Sequence, residues 1–117
     1  MGEIIDLPDV MDRVQDDKEL LLELLDIFQE DFLKKREALS EAVAAGDIFK
    51  IKEAAHSIKG ASGNISAKSM HAVCLQLEGL AKTGTTAGMP ELIKVIDGQF
   101  EELKVFAAKL KKEWAGG

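Results

Sequence analysis

The chain has 117 residues, enough for one ordinary domain, and its 46% hydrophobic and 31% charged residues supply a core and exclude a disordered chain. Fifteen Lys and Arg against 21 Asp and Glu leave a net charge of −6, the wrong sign for a surface that neutralises nucleic-acid phosphates. The lone cysteine, Cys74, can neither close an internal disulfide nor build a Cys-rich cage, and no apolar run approaches the ~20 residues that span a bilayer.

The opening stretch, MGEIIDLPDVMDRV, is acidic and lacks the basic flank of a signal peptide, so a cytoplasmic domain is expected. Few aromatics, no Tyr, and abundant Leu, Ala, Glu and Lys favour helix over sheet. Asp6, Leu7 and Pro8 read as a helix entrance, and a short helix is predicted from there to about Gln15. Asp16 with Glu19 resembles a capping box at the head of a long amphipathic helix that ends near Ala45. Its apolar stripe is Leu21, Leu24, Leu25, Phe28, Phe32, Leu39 and Val43. Gly46 supplies a left-handed stop and Asp47 the next cap. The third helix, about 48–62, turns Ile51, Ala55, Ile58 and Ser62 inward. Gly63-Asn64 reads as a turn, with Ser66 as the following N-cap. The fourth helix buries Met70, Val73, Cys74, Leu77 and Ala81 and breaks at Thr83-Gly84. After the loop Thr83–Pro90, a last helix over about 90–113 carries Leu92, Ile96, Leu103, Phe106 and Leu110 on one face, and Gly116-Gly117 reads as a frayed tail. The expected architecture is all-α: one domain over residues 1–117 with its core from about 17 to 113. It is an antiparallel four-helix bundle with an additional short N-terminal helix.

The informative segment is AAHSIKGASGNISA, Ala54 to Ala67. At 100° per residue, His56 falls roughly 130° from the core stripe of its helix and so points outward. Lys52, Lys59, Gly60 and Gly63 lie on or beside the same face. Lys59, one turn away, can bring its ammonium to the space above the imidazole. Gly60 is costly inside a helix, about 1 kcal/mol against alanine. Side chains lean toward the helix N-terminus, so residue i+4 shades residue i, and a glycine at position 60 leaves His56 uncovered. An open imidazole beside a cation suits a nucleophile that accepts a phosphoryl group. On periodicity alone, His56 as a solvated helix residue and Gly60 as an early helix end is the competing reading.

His56-Ser57-Ile58-Lys59-Gly60 resembles the H-x-x-K-G signature of histidine-containing phosphotransfer (HPt) domains. LLDIFQEDF (Leu24 to Phe32), AAGD (Ala44 to Asp47) and CLQLEGL (Cys74 to Leu80) are similar to the same family in the same order. The likeness runs from about Leu20 to Leu110 and is weakest in the last helix. It implies a helical bundle that relays phosphoryl groups between receiver-domain aspartates, with His56 phosphorylated, Lys59 assisting electrostatically and Gly60 keeping the approach clear. Glu78 matches a position where the family places a polar residue facing the histidine; its part is either to orient the imidazole or to stand as a plain solvated glutamate. Ser66 departs from the glycine common in the turn after the active helix. The implied partners are response-regulator receiver domains and a hybrid sensor histidine kinase. Mg²⁺ is expected on the receiver and no cofactor on this chain, which acts as a monomeric covalent carrier.

Nothing resembles a Walker loop or kinase glycine loop, so ATP-dependent kinase activity is not expected. Two alternatives stay open: the phospho-accepting N-terminal domain of a chemotaxis-type or hybrid kinase, and a non-catalytic interaction module using Leu75 and Ala61 as apolar surface beside His56. Glu53 and His56 form one Glu-x-x-His spacing, where a di-iron bundle needs two and further carboxylates. His71 and Cys74 with Glu78 make at most half a zinc site. No metal site is expected.

Overall fold

Asp6, Asp17 and Asp47 open three helices by the same chemistry. Each has extended backbone, and its carboxylate accepts the N–H three residues on, from Asp9 at 3.1 Å, Leu20 at 3.0 Å and Lys50 at 3.1 Å. The structure, a computed structural model, describes residues 3–115, so the Gly116-Gly117 tail lies outside it. The described helices are α1 (Leu7–Arg13), α2 (Lys18–Ala45), α3 (Ile48–Asn64), α4 (Lys68–Lys82) and α5 (Met89–Ala115). Among the described residues there is no strand, and the architecture is the expected all-α bundle with a short added helix.

The four long helices close a ring in which α2 packs on α3 and α5, and α4 on α3 and α5. At 1.5 Å per residue α2 and α5 are each about 40 Å long, whereas α3 and α4 are nearer 25 Å. The two long helices therefore run past their partners. Ile4, Ile5, Val10 and Val14, from α1 and its flanks, are buried in the place that α3 and α4 leave empty. Phe32 and Phe100 stack across the α2–α5 seam with centroids 4.1 Å apart and Phe28 beside them. One turn along, Arg36 donates two hydrogen bonds to Asp97, at 2.9 and 2.8 Å.

Several boundaries differ from the sequence reading. The first helix stops at Arg13, because Gln15 and Asp16 reverse the chain with φ of 53° and 61°. Left-handed backbone cannot serve as an N-cap, so the cap of α2 is Asp17 and not Asp16. Gly63-Asn64 is helical, and α3 runs through it. Ser66 caps nothing. It sits at φ 57°, its hydroxyl donates to Asp9 Oδ2 at 2.6 Å, its carbonyl accepts from Asp6 N–H at 3.0 Å, and α4 opens after Ala67 with no side-chain cap. A left-handed residue is one a glycine adopts without strain, which is the physical reason glycine suits this turn. Here the bonds to α1 hold the serine in place. The cores of α2 and α5 are also rotated slightly from expectation. Ala42 is buried while Leu24 and Val43 are half-buried; Ile93, Phe100 and Ala107 are buried while Leu92 and Phe106 are half-buried. Gly46 ends α2 with φ 69° as expected, and the five apolar residues read into the core of α4 are all buried.

Phe100→Ala should cost about 3–5 kcal/mol by opening the stacked seam, and half-buried Phe106→Ala distinctly less. Urea denaturation of both variants checks this, and equal losses would show that the stack is not the stronger element.

Candidate functional site

Helix α3 buries Ile51, Ala54, Ala55, Ile58 and Ser62, which leaves the opposite side of the cylinder to solvent. His56 stands there with 72% of its side chain exposed. Lys52, one turn before it, is exposed, as is Gly60, one turn after. A residue the sequence reading missed shares the stripe: Phe49, seven residues before His56 and so two turns away on the same face, is 70% exposed. The i−7 spacing was the available signal.

The Lys59 ammonium reaches across to α4, where it meets Glu78 Oε1 at 2.7 Å. The other carboxylate oxygen lies 3.6 Å from His56 Nδ1, an ion-pair distance too long for a hydrogen bond. Glu78 thus brings His56 and Lys59 together, and at 20% exposure it is no plain solvated glutamate. Burial pushes the Glu78 carboxyl up, but Lys59 and His56 outweigh it and hold the group below its ordinary value of 4.5. Folding therefore gains from this ion pair at neutral pH, and the gain is lost as pH falls through the ordinary carboxylate range.

The glycines differ in what surrounds them. A methyl group at position 60 would meet nothing within 4 Å, whereas one at Gly63 would come 3.5 Å from His71 Cδ2. Gly79 and Gly98 are as open as Gly60, so open space alone marks no function. What sets Gly60 apart is its place directly above His56 on the helix.

The remaining candidates separate. Cys74 is buried one turn below Glu78, and burial, reinforced by the Glu78 charge, pushes its thiol up to about 12. Glu53 is exposed on the outer side of α3 and does not face the bundle interior. Among the described residues no three His, Cys, Asp or Glu side chains converge as a metal site would require. Leu75, on α4, is 49% exposed. Ala61 belongs instead to a groove of about 230 Å³ between α2 and α3, with Leu24, Ile27, Phe28 and Ile58. The two residues therefore flank the His56 stripe from opposite sides and do not form one patch. No helix among the described residues is long and apolar enough to cross a membrane.

The family model for the Hpt domain matches residues 23–106. The chain belongs to that family, and its role is histidine phosphotransfer in a phosphorelay. Among solved structures it is similar to histidine-containing phosphotransfer protein B (HptB) from Pseudomonas aeruginosa PAO1, with 25% identity over 97% of this chain and 98% of that one and a TM-score of 0.87. The HPT domain of the Hpt sensor hybrid histidine kinase from Shewanella shares the fold at 16% identity, covering 97% of this chain and 96% of that one with a TM-score of 0.72. No curated protein matches.

Two outcomes are expected. Gly60→Ala should stabilise the fold by about 0.5–1 kcal/mol, since the added methyl has free space and alanine favours the helix; a lower melting temperature would contradict that. Cys74 should resist a thiol reagent at pH 8 until the chain is unfolded by denaturant, and rapid labelling of the native protein would contradict its burial.

Proposed function

We propose that His56 is the residue that takes and gives up the phosphoryl group. The observation that carries this is an imidazole 72% exposed on the outer face of α3, with Nδ1 turned toward a carboxylate. A proton on Nδ1 faces Glu78, which leaves the lone pair on Nε2 for attack. Nε2 attacks the phosphorus of a receiver's aspartyl phosphate. The N–P bond forms as the acyl P–O bond breaks, the bonding electrons return to the aspartate carboxylate, and the Nδ1 proton stays in place. Transfer to a second receiver reverses these steps. Gly60 leaves the line of approach open, and Lys59 offsets negative charge at the phosphoryl oxygens.

The partners on this reading are response-regulator receiver domains and a hybrid sensor histidine kinase, meeting a monomeric cytoplasmic carrier. The receiver holds the Mg²⁺ and supplies the electrophilic activation, while this chain contributes the nucleophile and its approach. Lys52 adds positive charge and Gly63 close helix packing, both secondary to His56. The acidic net charge does not oppose such docking, because Lys50, Lys52 and Lys59 lie on the helix that carries His56.

His56→Gln should abolish labelling by a phosphorylated receiver while leaving the helical circular-dichroism signal unchanged. Labelling that persists in a folded His56→Gln protein would sink the assignment.

A further inference from the structure

The Lys59 ammonium already has an anionic partner before any phosphoryl group arrives. In this structure its ammonium is committed to Glu78 Oε1, and Lys59 and Glu78 are only 21% and 20% exposed. Oε1 is itself buried, and the ammonium 2.7 Å away is what compensates its charge. The second oxygen stands 3.6 Å from His56 Nδ1, just short of bonding. A phosphoryl group on His56 brings a charge of about −1.5 to −2 within one helical turn of that ammonium.

We infer that Glu78 is a positioning residue that stores Lys59 when His56 is free and surrenders it when His56 is phosphorylated. This deepens the proposed function and rests on it in taking His56 as the acceptor. In the exchange no covalent bond changes. The ammonium leaves Oε1 for the phosphoryl oxygens, the Nδ1 proton stays on the ring, and Oε2 closes from 3.6 Å to accept a hydrogen bond from Nδ1–H. The carboxylate, stripped of its cation, thus takes the phosphoimidazole as its partner. When the phosphoryl group departs, Glu78 recovers Lys59. That recovery favours release, so Glu78 keeps the carrier from holding its cargo too firmly. Lys52, exposed and without an ion pair among the described residues, has no such competitor.

Phosphoramidate transfers its phosphoryl group to imidazoles without a protein donor. A receiver that fails to label His56 would therefore defeat the relay reading and leave this exchange measurable. The full chain is phosphorylated with it, His56→Gln assigns the signal against His71, and the decay of phospho-His56 is followed by ³¹P NMR. Glu78→Gln should lengthen that lifetime about threefold, the size of one partly exposed ion pair, and should have no lengthening effect in a Lys59→Ala chain. An equal effect in both backgrounds, a shortened lifetime, or no effect in either overturns the inference. The unsubstituted protein gives a second readout independent of any variant's folding. The ¹⁵N signal of the Lys59 ammonium should shift when His56 is phosphorylated, and a signal that stays in place overturns the inference as well.

Discussion

The seam between α2 and α5 holds everything else in register. Phe32 and Phe100 stack at 4.1 Å, and Arg36 grips Asp97 through two bonds a single turn away along both helices. Apolar stacking resists separation of the helices without fixing their register, whereas a bidentate guanidinium–carboxylate pair fixes both spacing and rotation. The ion pair is partly solvated, so its stability contribution is small. Its value is geometric. With the long helices aligned, the short α3 and α4 have one place to lie, and the overhang beyond them is the place α1 fills. Ser66 and Asp9 then tie α1 to the α3–α4 turn, with Lys68 and Asp6 alongside. The turn that ends the histidine helix is thus held by a segment 57 residues earlier in the chain.

That arrangement decides how the functional helix is exposed. α3 packs mainly against α2 on one side and α4 on the other. A helix held on two sides can spare an outer stripe for polar and even unshielded apolar residues, and α3 does so with Phe49, Lys52, His56 and Gly60. The core residues Ile51, Ala55 and Ile58 fix the rotation of that stripe to within a fraction of a turn, because moving it would bury His56 and expose them. Packing on the inside therefore aims the imidazole on the outside.

Much of this was legible because periodicity and punctuation are local. Gly46-Asp47 located the α2–α3 corner, the α4 stripe named its buried residues, and the angular offset of His56 placed it outward. What escaped depends on partners far away in sequence. Asp16 has a capping residue's chemistry, but the tight reversal at Gln15 gives it the wrong backbone and passes the cap to Asp17. Ser66 has an N-cap's chemistry too, yet its hydroxyl is claimed by Asp9, 57 residues away. Phe100 and Phe106 are both plausible members of an apolar stripe on one helix, and only the position of Phe32 decides between them. At the site itself, spacing put Lys59 within reach of His56. No spacing rule could say that a carboxylate on the next helix reaches the ammonium first.

The modest equipment around His56 fits what a carrier must do. An enzyme gains by binding a transition state far more tightly than anything else, but a carrier must accept and release the same group at comparable rates. Deep burial, a metal, or several converging cations would hold the phosphoryl group and slow its departure. The imidazole here is largely exposed, and Lys59 is already paired to a buried oxygen. On the proposed reading each feature weakens retention: an open ring lets the receiver supply most of the transition-state stabilisation, and a pre-paired lysine gives up one anion to gain another. The net electrostatic gain on phosphorylation is then the difference between two ion pairs rather than the whole of one, which leaves the direction of flow to the partners.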